Sequence, residues 1–103
     1  MIDKLKEWLG VAHAVDYAEL LKAGAVIIDV RTKAEFASGH IRGATNIPLQ
    51  ELAANLHRLP RESPVVVCCA SGMRSASARS MLVAKGYSRV YDGGGWRRLA
   101  SRI

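Results

Sequence analysis

The chain has 103 residues, half of them hydrophobic, with 15 Lys and Arg against 9 Asp and Glu for a formal charge of +6. That is the length of one domain around one core, and it is too apolar for a disordered or low-complexity protein. No apolar run reaches membrane-spanning length, and the basic residues are dispersed except for Arg97-Arg98, without interleaved aromatics, so neither a transmembrane segment nor a nucleic-acid partner is expected.

A basic surface of this kind suits a small anionic substrate. The two cysteines, Cys68 and Cys69, are adjacent. A bond between neighbours closes a strained ring, so they cannot staple the fold, and a reduced, cytoplasmic protein is expected.

In chain order, residues 1–10 place Ile2, Leu5, Trp8 and Leu9 on one helical face, with too many charges between them for a signal peptide. A short amphipathic helix or extension packed on the domain is expected there; a membrane-surface anchor or partner-binding helix is the alternative. Residues 11–103 then form the domain proper. Val11 to Val15 reads as a weak first strand. Asp16 and Glu19 have capping-box spacing for a helix that turns Tyr17, Leu20 and Leu21 inward and ends at Gly24.

Ala25 to Val30 is apolar on both faces, the pattern of a central parallel strand. Its Asp29 needs a partner, and Arg31 is two residues away. Thr32 and Glu35 repeat the capping-box spacing and open a helix that stops at Gly39. His40 follows in a loop shaped by Gly39, Gly43 and Pro48 around a very short strand at 44–46. A histidine so placed reads as a hydrogen-bonding post rather than a base. Leu49 to Leu59 is predicted as one helix with Leu49, Leu52, Ala53 and Leu56 inward.

The most informative stretch is Pro64 to Ser75. An apolar run ending in Cys68-Cys69 predicts a buried strand, and small or flexible residues centred on Gly72 predict a tight loop. From Ser75 the apolar spacing is helical as far as Gly86. A cysteine at the carboxyl end of a parallel strand, facing the positive end of a helix dipole, is stabilised as the thiolate. Arg74 adds a permanent charge, and amides of residues 70–72 can curl into an anion nest. Residues 87–92 predict a last short strand, Gly93 to Gly95 a flexible loop, and Trp96, Leu99 and Ala100 a final helix.

Cys69, Gly72, Arg74 and Ser75 match the Cys-x-x-Gly-x-Arg-Ser active-site loop of the rhodanese-like sulfurtransferases. A second match resembles the other signature of that family: Asp29-Val30-Arg31, Glu35-Phe36, Gly39-His40-Ile41, Gly43-Ala44 and Asn46-Ile47-Pro48. The resemblance covers residues 12–100, and is loosest at the three glycines before Trp96. It implies an α/β, rhodanese-like single domain, with a central, mostly parallel five-stranded sheet flanked by helices on both faces.

The implied reaction moves a sulfane sulfur from thiosulfate or a persulfide to cyanide, a thiol or a sulfur-acceptor protein, through a persulfide on Cys69. Ala70, Ser71, Gly72, Met73, Arg74 and Ser75 form the substrate loop, with Met73 on the pocket wall. Arg74 is expected to meet the sulfonate or, second, to order the loop. Asp29, Arg31, Glu35 and His40 are the supporting network. Strand alternation turns Cys68 away from Cys69, as an inert thiol. No metal or organic cofactor is expected.

Two other readings compete. Phosphatases and arsenate reductases of similar fold carry five residues between Cys and Arg, against the four here (Ala70 to Met73). A phosphoryl group needs a wider cradle than one sulfur atom. A non-catalytic interaction module is the other rival, although such modules usually lose the cysteine retained at position 69.

Overall fold

The computed structural model describes residues 15–103. Asp16 caps the first described helix, α1 (Tyr17–Lys22), by accepting the Glu19 amide. Strand β1 (Val26–Asp29) follows, then α2 (Lys33–Ala37), strand β2 (Thr45–Asn46) and the short helix α3 (Leu49–Leu52). A 3-10 segment (Ala53–Arg58) leads to β3 (Val65–Cys69), α4 (Met73–Ala84), β4 (Val90–Gly95) and α5 (Trp96–Ala100). At α2 the expected capping box is complete: Thr32 accepts the Glu35 amide and Glu35 accepts the Thr32 amide.

The strands lie in the order β2-β1-β3-β4, and every pairing is parallel. Strand β3 is central and covered on both faces, so all five of its side chains are buried. Its alternation divides the core. Val65, Val67 and Cys69 pack with Leu52, Ala78 and Leu82 under α3 and α4. Val66 and Cys68 pack with Tyr17, Ile41 and Leu99 under α1 and α5. Each aliphatic chain so buried stabilises the fold by about 1.5–3 kcal/mol.

Four strands are present among the described residues, one fewer than the five expected from sequence. The missing strand, predicted at 11–15, falls outside the described residues apart from Val15, which is not in a strand; so does the helix predicted at 1–10. The helix predicted for residues 49–59 breaks after Leu52. Asn55 leaves helical geometry at φ −119° and its side-chain amide donates to the Glu51 carbonyl, the competition that makes Asn a poor interior helix residue. Ala53 is consequently exposed rather than inward.

The larger correction concerns Gly93 to Gly95, expected as a flexible loop. They complete β4, with Cys68 opposite Gly94 and Cys69 opposite Gly95 after a register shift at Val67/Cys68. Glycine is required here by close approach. A Cβ on Gly93 would lie 2.9 Å from Leu99 Cδ2 and 3.0 Å from the Val67 carbonyl oxygen, and one on Gly95 would lie 3.0 Å from the Ala70 oxygen. Overpacking against backbone costs about 1–3 kcal/mol. Gly93→Ala is therefore expected to lower the unfolding free energy from urea titration by that amount, read as a lower midpoint at unchanged slope, and an unchanged midpoint would contradict this packing.

Candidate active site

Cys69 is the last residue of β3, at the carboxyl edge of the sheet, and α4 begins four residues later. The chain turns between them through Gly72, whose φ of +108° is a left-handed conformation that other residues adopt only with strain. That turn folds the loop back over the cysteine. The Gly72 amide donates to Cys69 Sγ at 2.9 Å, and Sγ lies 3.4 Å from the Ser75 hydroxyl. The thiol donates to Ser75 Oγ while the Ser75 hydroxyl donates to the Gly72 carbonyl at 3.0 Å. When the thiol ionises, that hydroxyl can rotate and donate to sulfur instead.

Burial on its own pushes the Cys69 pKa up. It is outweighed by hydrogen bonds from the Ser75 hydroxyl and from the amides of Ser75, Gly72 and Ser71, so the thiol sits below its ordinary value of 9.0. Cys68 shows the opposite case one residue away. It faces the other half of the core, and burial, followed by the charge of Asp29, raises its pKa to about 12. Two adjacent thiols thus differ in acidity because only one faces the curled amides.

Of Asp29, Arg31, Glu35 and His40, expected as one network, the first three are joined by hydrogen bonds through Arg31 and His40 stands apart. Asp29 is fully buried and Arg31 nearly so. The Arg31 amide, Nε and Nη2 all donate to the Asp29 carboxylate, Nη2 at 2.7 Å. Arg31 also donates to the carbonyls of Gly39 and Glu35 and stacks on the Trp96 ring at 4.6 Å. The Glu35 side chain turns the other way, to the loop. His40 stays within its own segment, stacked on Phe36 with Nδ1–H donating to the Phe36 carbonyl at 2.7 Å.

Arg74 presents both Nη atoms to Glu35, at 2.7 and 2.9 Å. Of the two roles expected for this guanidinium, loop ordering is the one its contacts display: the fork ties the first turn of α4 to α2. Its remaining face lines a cavity of about 180 Å³ with Thr32, Gln50 and Leu49. Met73, expected on a pocket wall, is 81% exposed. Ala70 and Ser71 are also exposed, on the outer side of the loop.

Glu35 is held by Arg74, and secondarily by the Thr32 amide, at a pKa of about 2 against an ordinary 4.5. A lowered carboxylate pKa contributes stability that is present above 4.5 and lost as pH falls toward 2. The difference in Tm between the wild type and Glu35→Gln is therefore expected to shrink over that interval in an acid titration. A difference that is constant with pH would show that the ion pair does not hold the loop.

No local motif marks the residues on the far side of the loop. Gly94 and Gly95 lie opposite Cys68 and Cys69 through the sheet register, and Arg97, Arg98 and Arg102 share a cavity with Ala70 and Ser71. The doublet Arg97-Arg98 was visible in sequence as the single cluster of charge; its neighbourhood with the loop was not.

The family model described as the rhodanese-like domain matches residues 13–99. Thiosulfate sulfurtransferase GlpE of Pseudomonas fluorescens (strain SBW25) is 38% identical over 82 residues, which are 77% of this chain and 75% of that protein. The human single-domain sulfurtransferase TSTD1 matches with a TM-score of 0.67 at 32% identity, covering 84% of this chain and 91% of that one. A structure of rhodanese with anions from E. coli matches with a TM-score of 0.64 at 32% identity, over 73% of this chain and 91% of that one.

Proposed function

The chain belongs to the rhodanese-like domain family, and from that membership we propose that it is a thiosulfate sulfurtransferase working through a persulfide on Cys69. The observation that carries the reading is the ring of donors closed directly on Cys69 Sγ, with the Gly72 amide at 2.9 Å. In the first step the thiolate attacks the outer sulfur of thiosulfate. A sulfur–sulfur bond forms to Cys69, the bond to the sulfonate sulfur breaks, and sulfite leaves with its electron pair. In the second step a thiolate or cyanide attacks the terminal sulfur of the persulfide, and Cys69 departs as thiolate. Charge balances in each step, and one transfer becomes two displacements.

The amides that lower the thiol pKa are the groups suited to the negative charge on a terminal sulfur. They are backbone groups fixed by the Gly72 turn and the start of α4, so little reorganisation accompanies reaction. Arg74 acts as a positioning residue through Glu35. A loop already closed on a single sulfur atom favours sulfur transfer over the phosphatase reading, because a phosphoryl group would require it to widen. No helix among the described residues is long and apolar enough to cross a membrane. Both cysteines are free thiols, and a reducing compartment such as the cytoplasm would keep Cys69 available.

The test is mass spectrometry of the protein after thiosulfate treatment, with expected gain of one sulfur atom on Cys69 and its removal by cyanide. An unmodified Cys69 would favour the interaction-module reading. Alkylation of Cys69 by iodoacetamide should have its half-maximal rate below pH 9.0, the ordinary thiol value. A midpoint at or above that value would contradict an activated thiolate.

A further inference from the structure

Trp96, the first residue of α5, joins three segments that meet around the site. It follows Gly95, which the sheet register sets opposite Cys69 at the end of β3. Its ring lies under the Arg31 guanidinium, with Cζ 4.6 Å from the ring centroid. The same ring lies against Gly39, where a Cβ would stand 3.2 Å from Trp96 Cη2. Trp96 therefore borders both partners of one hydrogen bond, the 2.7 Å bond from Arg31 Nη2 to the Gly39 carbonyl. Its remaining surface packs on the half of the core that holds Ile41, Cys68 and Leu99.

Arg31 fixes α2 at two points. Nη2 reaches the Gly39 carbonyl just beyond the helix, and Nη1 reaches the Glu35 carbonyl within it at 3.2 Å. The Glu35 carboxylate, on the same helix, holds both Nη atoms of Arg74. Arg74 stands in the first turn of α4, beside the Gly72 amide that donates to Cys69 Sγ. The hydrogen bonds of a guanidinium lie in its plane and leave its flat face without a donor, and on Arg31 that face is met by the Trp96 ring. Arg31 is 3% exposed, so the contact is made out of water, where cation–π attraction is strongest.

We propose that Trp96 is a positioning residue for sulfur transfer. Its ring sets the plane of the Arg31 guanidinium, so that α2 presents Glu35 to Arg74 and the loop amides stay closed on Cys69. The proposal rests on the sulfur-transfer reading. Trp96 itself touches neither the sulfur nor the substrate; it acts through Arg31, Glu35 and Arg74 in turn. Loss of the ring lets α2 drift, weakens the donors on Cys69 Sγ, and leaves a thiolate that is harder to form.

The test is the pH profile of Cys69 alkylation by iodoacetamide, with kcat/KM for thiosulfate measured beside it. In folded Trp96→Leu the midpoint of the profile should rise, and kcat/KM should fall about tenfold, less than the full worth of a desolvated cation–π contact. Trp96→Phe keeps an aromatic face and should lie between the wild type and Trp96→Leu. Arg61→Gln is the control. It removes a similar stack, Arg61 over Tyr87 at 4.5 Å, at the other end of α4, about 18 Å along the helix. It should lower Tm without moving the midpoint. In a Glu35→Gln background, where the route is already cut, Trp96→Leu should add little further shift. If Trp96→Leu does not fold, Trp96→Phe carries the same comparison in both backgrounds. An unmoved midpoint, an equal shift in Arg61→Gln, or a full additional shift in the Glu35→Gln background overturns the proposal. A wild type that alkylates as expected but takes no sulfur from thiosulfate would count against the sulfur-transfer reading instead.

Discussion

Cys69→Ser is expected to lose sulfur transfer by a factor on the order of 10⁴ or more, the scale seen when an enzyme's nucleophile is removed. Serine preserves the size of the side chain and can still accept the Gly72 amide that Cys69 Sγ accepts at 2.9 Å. It has no accessible anion near neutral pH and cannot carry a persulfide, so the fold should survive while the chemistry stops. Cys68→Ser is the matching control. Cys68 is fully buried on the opposite face of β3, with its thiol pKa pushed up to about 12. A hydroxyl left there without a partner costs roughly 1–3 kcal/mol in stability. Folded Cys68→Ser should nevertheless form thiocyanate from thiosulfate and cyanide at close to the wild-type rate. An active Cys69→Ser, or a folded but dead Cys68→Ser, would overturn the assignment of the nucleophile.

The largest loss of stability is expected at Asp29→Asn. Asp29 is fully buried at the end of β1 and accepts from the Arg31 amide, Nε and Nη2. Removing its charge leaves a buried guanidinium without its counter-ion, a change that costs about 3–5 kcal/mol. For a domain of this size that corresponds to a fall in Tm of about 12 °C or more. The loss should reach the site as well. Arg31 holds the Glu35 and Gly39 carbonyls, Glu35 holds Arg74, and Arg74 fixes the first turn of α4 from which the cradle amides project. The folded fraction of Asp29→Asn should therefore show slower alkylation of Cys69 than the wild type. Thermal unfolding monitored by circular dichroism decides the first point, since a Tm within a few degrees of the wild type would mean that the pair does not hold the strand end.

Most of the element order was written in local residue choice. The Thr32/Glu35 box, the apolar run at Val65–Val67 and the Cys-x-x-Gly-x-Arg-Ser loop each announce their structure over a few residues, because caps, buried strands and left-handed turns are satisfied by near neighbours. The break at Asn55 was harder to see. Its cause is a side chain competing for the Glu51 carbonyl, and the apolar spacing around it still looks helical.

By itself the sequence determined that Cys69 stands at the end of a buried strand before a helix, and that Cys68 must face the other way, since both follow from chain direction and alternation. Tertiary structure alone decided what surrounds that sulfur: Glu35 on the Arg74 fork, three glycines extending β4 against β3, and three arginines on the far wall of the loop. Partners separated by tens of residues meet through sheet register and helix packing, and those distances leave no periodic trace in the chain.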